Sequence, residues 1–172
     1  MTRAIIKTLG VALVATLPML ASAQLTANVS LTTNYKFRGQ DQDTSKVKAV
    51  KPALQGGFDY TFGETGFYVG NWNSSVNWLS GNSLESDLYG GYKFKAGDVD
   101  LDVGLLTYIY PGNSAGNTTE VYGAATFGPV TAKYSHTVSK DYFAYAGPGM
   151  KGRNIGYLNL AFAQEVAPSF ML

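Results

Sequence analysis

The chain has 172 residues, and its 13 basic and 12 acidic side chains leave a net charge of +1. That balance gives no electrostatic case for a nucleic-acid partner. With no cysteine and one histidine, a disulfide framework and a thiolate metal site are excluded, and no cofactor is expected.

The N-terminus sets the compartment. "MTRAIIK" carries Arg3 and Lys7, "TLGVALVATLPML" is a short apolar run, and Ala21 and Ala23 close it. This is the layout of a secretory signal peptide over residues 1–23, with cleavage expected before Gln24. The run is short for a transmembrane helix, and no later stretch could span as one.

From residue 26, "TANVSLTTNYKFRG" alternates strictly. Ala27, Val29, Leu31, Thr33, Tyr35 and Phe37 share one parity, and polar or basic residues hold the other. Successive strand side chains point to opposite faces, so one face is uncharged. The pattern recurs and predicts strands at 25–37, 50–62, 67–78, 84–95, 99–110, 119–127, 130–138 and 154–164. Such lengths suit tilted transmembrane strands better than average soluble ones.

Assigning faces by large apolar residues gives an outward set. It holds Leu54, Phe58, Tyr60 and Phe62, then Tyr68, Trp72, Val76 and Trp78, then Leu84, Leu88, Tyr92 and Phe94. Val99 to Ile109, Val121, Phe127, Val130, Tyr134 and Val138 continue it. In the last strand Leu158, Leu160 and Phe162 compete with Ile155 and Tyr157. Charges take the inner parity: Lys36, Lys51, Asp59, Glu85, Asp87, Lys93, Lys95, Asp100, Asp102, Glu120 and Lys133. At the 95–100 hairpin, same-face pairing sets Lys95 against Asp100 and Lys93 against Asp102, with Phe94 against Leu101 and Tyr92 against Val103. At the preceding hairpin Gly70 is expected opposite Tyr60, where the ring can cover it.

Connections alternate too. The joints at 63–66, 96–98, 128–129 and 166–169 are tight, while those at 38–49, 79–83, 111–118 and 139–153 are mostly longer and polar. Turns on one side and loops on the other mark an outer-membrane barrel. Outward aromatics near strand ends complete two girdles: Phe37 and Trp78 on the loop side, Phe62, Phe94 and Phe127 on the turn side. The expected fold is therefore an all-β, antiparallel up-and-down transmembrane β-barrel over residues 24–172, with about eight strands present.

Six blocks carry a resemblance: "TNYKFRGQDQ" (33–42), "KPALQGGFDY" (51–60), "GFYVGNWNSSV" (66–76), "ESDLYGGY" (85–92), "DVGLLTYIYPG" (102–112) and "EVYG" (120–123). In this order they resemble the TorF-type porins of proteobacteria. The resemblance implies a Gram-negative outer membrane, a pore for small hydrophilic solutes, lipid and the barrel-assembly machinery as partners, and no catalytic residues. The family runs longer than this chain. "QEVAPSFML" reads as a strand end, a turn, and a ninth strand beginning at Phe170, Met171 and Leu172. The expectation is a piece of a larger barrel, incomplete at its C-terminus. Eight strands alone would close around side chains, not a channel, so the chain by itself is not expected to conduct.

No enzyme is expected. His136 shares the parity of Tyr134 and Val138 and faces out, whereas Ser135 faces in, so they cannot form a dyad. "DQD" at 41–43 reads as a solvated loop. The candidate pore residues are Lys36, Arg38, Lys51, Glu85, Asp87, Lys93, Asp102, Glu120 and Lys133, which would tune ion selectivity in a wide lumen. The alternative is a structural or loop-displaying barrel whose lumen charges pair with one another and plug it.

Overall fold

A computed structural model describes residues 24–44, 50–145, 152–167 and 170–171. Its elements are β1 (Leu25–Thr32), β2 (Lys36–Phe37), β3 (Gln40–Asp41), β4 (Ala53–Thr61), β5 (Phe67–Ser75), β6 (Leu84–Ala96), β7 (Val99–Ile109), β8 (Thr118–Phe127), β9 (Val130–Thr137), β10 (Gly156–Phe162), β11 (Glu165–Ala167) and β12 (Phe170–Met171). One 3-10 turn, Ser114–Gly116, is the only helical element among the described residues. The leader, cleavage site and Leu172 lie outside them.

Eight strands form one antiparallel sheet in the order β1-β4-β5-β6-β7-β8-β9-β10. All eight expected strands are present, in meander order. The β6–β7 register is the expected one: Lys95 faces Asp100, Phe94 faces Leu101, Lys93 faces Asp102 and Tyr92 faces Val103. Turn glycines Gly63, Gly66, Gly97 and Gly128 all take positive φ, which fits the tight joints.

The sheet is open. Strand β1 pairs only with β4 and β10 only with β9, so the two edges do not meet. The C-terminal hairpin of β11 and β12 pairs with itself and adds no strand to the sheet.

The outer face is apolar and bare. Val29, Leu31, Leu54, Phe58, Val103, Tyr134 and Leu160 are all exposed, Leu160 by 70%. Leu158 and Phe162 are exposed beside it, which places Tyr157 inside and resolves the parity of β10. No second layer covers this face among the described residues.

Two face assignments are corrected. Strand β1 ends at Thr32 rather than continuing to residue 37. The chain then turns inward, and Tyr35 and Phe37 pack against buried residues at the loop end. In β5 the parity is inverted. Tyr60 pairs with Val69 and Asp59 with Gly70, so Phe67 and Val69 face outward while Tyr68, Trp72, Val76 and Trp78 belong to the inner side. Choosing faces by size misled, because the interior of this sheet is itself aromatic. Phe37 and Trp78 therefore do not form a loop-side girdle, whereas Phe62, Phe94 and Phe127 are exposed at the turn side.

The inner face explains three glycines. Gly70 lies opposite Tyr89, Gly91 opposite Tyr68 and Gly104 opposite Tyr122. A Cβ on Gly70 would sit 2.3 Å from the Tyr89 ring, and one on Gly91 or Gly104 would be 2.6 or 2.5 Å from the facing hydroxyl. Each tyrosine lies flat across the space its partner leaves empty. Gly70 is thus covered by Tyr89, not Tyr60.

The buried apolar cluster is Val76, Leu79, Tyr108, Tyr110 and Phe143, with Tyr35, Phe37, Trp78, Leu106 and Tyr142 packed on it. All of these lie at the loop end, so the core of the molecule is the mouth of the sheet.

Candidate functional site

The mouth is built by the β2–β3 hairpin. Phe37 pairs with Gln40, leaving Arg38 and Gly39 as a two-residue turn. Both take positive φ, +48° and +82°, as the mirror-image hairpin turns require. The strain at Arg38 is offset by its contacts. Its guanidinium donates to both Glu120 carboxylate oxygens at 2.8 and 2.7 Å and to the Tyr142 hydroxyl at 3.2 Å. It lies between the Phe37 and Tyr157 rings, 4.8 and 4.2 Å from their centroids. Glu120 is only 1% exposed, so this is a buried, two-pronged ion pair. Burial works against the guanidinium's charge, but its bonds to Glu120 outweigh that and raise its pKa.

The other upper-level candidates are also occupied. Glu85 accepts from the Tyr35 hydroxyl at 2.8 Å and the Tyr110 hydroxyl at 2.6 Å. Asp87, two residues on and on the same face, is buried with its Oδ1 unpartnered. Lys51 is buried and donates to Asp41 at 3.1 Å and to the Asp43 carbonyl at 2.8 Å. Lys36 has a side chain 57% exposed and bonds Asp41 at 2.6 Å. Asp41 thus clamps the hairpin between two lysines, and their hydrogen bonds, Lys36 first, hold its carboxyl below the ordinary 3.8. The "DQD" segment is an ion-paired strand end, not a solvated loop.

The lower level, toward the turns, is an open hollow of about 650 Å³. Lys93, Asp102 and Lys133 line it with Lys95 and Asp100. The expected Lys93–Asp102 pair faces correctly but is not an ion pair. Lys93 lies over the Tyr68 ring, 4.8 Å from its centroid, and Asp102 accepts from the Tyr68 hydroxyl at 2.7 Å. Lys133 lies 4.0 Å over the Tyr122 ring, and the Tyr68 and Tyr122 hydroxyls touch. Lys95 and Asp100 do pair, at 2.8 Å, and remain exposed. His136 bonds Tyr134 and Asn154 on the outer face, while Ser135 is buried inside.

The two levels differ chemically. Above, Arg38, Glu120, Glu85 and their tyrosines close the mouth. Below, five charged groups line an open hollow. Sequence reasoning missed Tyr35, Phe37, Trp78, Tyr142 and Phe143 as mouth residues. The one local signal was the "RG" turn at Arg38–Gly39, which closes the short β2–β3 hairpin.

The chain belongs to the bacterial family Gcw_chp, described as of unknown function, whose model matches residues 19–170. No curated protein and no solved structure matches it. The family description assigns no activity and provides no link to the TorF-type porins.

Proposed function

We propose that this Gcw_chp member is an outer-membrane porin of a Gram-negative bacterium, exported by its leader and passing small hydrophilic solutes. The observation that carries the reading is the segregation of faces: no Asp, Glu, Lys or Arg stands on the outer parity of the sheet strands β1 and β4 to β10, while Asp59, Lys93, Asp102 and Lys133 stand on the inner one. A bare apolar surface of that extent on a soluble protein would demand a covering layer. Lipid is the partner that fits it, with the barrel-assembly machinery delivering the chain. In a bilayer the free edges of β1 and β10 must be paired, so the proposal includes closure of the sheet, by these edges or with further strands between them.

The filled mouth favours a second reading, a loop-displaying barrel that does not conduct. Planar-bilayer recording on the gene product isolated from native outer membranes separates the two. The pore reading expects discrete current steps, and a shift toward cation selectivity when Lys93→Glu and Lys133→Glu are combined. Folded protein that carries no current would favour the closed barrel.

A further inference from the structure

We infer that the outer surface around Asn73 and Ser75 of β5 binds a second copy of this chain within the membrane. The inference rests on the membrane reading of the outer face and adds a partner to it.

Strand β5 breaks the apolar pattern of that face. Its outward places run Phe67, Val69, Asn71, Asn73 and Ser75. Asn71 stands midway along the strand, at a depth where hydrocarbon offers no hydrogen bond. It is satisfied from within. Its amide donates to the Asp87 carbonyl at 3.1 Å, and its oxygen accepts from Asn73 Nδ2 at 2.5 Å.

The next two outward residues are only half satisfied. Asn73 Nδ2 also donates to the Gly56 carbonyl at 3.4 Å, but Asn73 Oδ1 accepts from no described residue. Ser75 Oγ accepts from the Leu54 amide at 3.1 Å, and its O–H donates to no described residue. The face therefore presents one free acceptor beside one free donor. In lipid both are costly until matched.

Shape agrees with this. Val29, Leu54, Phe58, Asn73 and Ser75 line a hollow of about 560 Å³. Leu54 and Phe58, 60% and 57% exposed, stand at its rim. A protruding side chain next to a hollow, like a donor next to an acceptor, is complementary to its own copy across a two-fold axis.

The chemistry selects that occupant over lipid. An acyl chain fills space but makes no hydrogen bond. A headgroup phosphate calls for a basic residue, and no Lys or Arg stands on the outer parity of β1, β4, β5 or β6. A second copy supplies both missing partners: each Ser75 hydroxyl donates to Asn73 Oδ1 of the other copy. Amide and hydroxyl groups serve this way between membrane-embedded segments.

The test uses the full chain in dilauroylphosphatidylcholine vesicles. The chain has no cysteine, so Leu54→Cys places a single reactive site at the rim of the hollow. Leu160→Cys, on the edge strand β10, is the control for association through the free edges. A short bis-maleimide should give a covalent dimer from Leu54→Cys and not from Leu160→Cys. Asn73→Leu, with β circular dichroism unchanged, should weaken association in density-matched micelles by about fivefold or more, because the bond is lost on both sides of the contact. Inserted protein that stays monomeric, equal cross-linking at both positions, or Asn73→Leu associating as wild type would overturn the inference and leave the membrane reading standing. In native outer membranes, Leu54→Cys cross-linking to a different protein, or a monomer that retains a bound lipid, would overturn it too. Protein that stays out of the vesicles would overturn the membrane reading and the inference with it.

Discussion

Arg38 joins three separated parts of the chain: the hairpin, Glu120 82 residues away, and Tyr142. Removing it strands a carboxylate that is nearly fully buried. Arg38→Ala should cost about 3–5 kcal/mol, because an unpaired buried charge is far more expensive than a lost surface contact. Urea unfolding in vesicles measures this, and a loss under about 1 kcal/mol, the range of exposed pairs, would contradict it. The inward parity of Glu120 was legible in the sequence, whereas that of Arg38 was read from a strand that ends at Thr32. Their pairing was not legible, since it depends on a turn that folds residues 33–41 back over the sheet.

Asp41 supplies the pH dependence. Its folded pKa lies below the ordinary 3.8, so its stabilising effect is present above that value. The effect is lost as pH falls through the lowered folded pKa. At neutral pH, Asp41→Asn should therefore be less stable than wild type. The gap should close as the pH is taken well below 3.8, and a gap independent of pH would contradict the assignment.

At the scale of elements, the tyrosine–glycine pairs set how strands β5 to β8 fit. A Cβ at Gly104 would lie 2.5 Å from both the Gly90 carbonyl oxygen and the Tyr122 hydroxyl. The carbonyl belongs to a strand and cannot swing aside as a side chain can. Gly104→Val should cost about 1–3 kcal/mol by overpacking and should free Tyr122 from Tyr68. Equilibrium unfolding checks the first effect, and a change in tyrosine emission the second. Wild-type stability in Gly104→Val would contradict the close fit.

The same strands show what alternation can and cannot reveal. Strand existence, order and the β6–β7 register followed from period two and turn chemistry, which are local. The face of β5 did not, because Tyr68, Trp72, Val76 and Trp78 look like lipid-facing residues. The outward places of β5 hold Asn71, Asn73 and Ser75 beside Phe67 and Val69. Asn73 bonds the Asn71 side chain and Asn71 bonds the Asp87 carbonyl, which lowers the cost of their outward position. Register across the β4–β5 hairpin, not residue size, decides which face a residue takes.

For the whole molecule, a single curved sheet carries bare apolar side chains on one side and its polar groups on the other. Its buried apolar cluster lies at the mouth, so packing alone does not account for the outer face. A bilayer does. This central claim is tested most directly by a spin-label scan along β6 in reconstituted vesicles, measuring accessibility to oxygen dissolved in the lipid. The account predicts a two-residue period, with Leu84, Leu88, Tyr92 and Phe94 oxygen-accessible and Glu85, Asp87, Tyr89 and Lys93 not. Labels equally open to water at both parities, or protein that stays out of the vesicles, would contradict it.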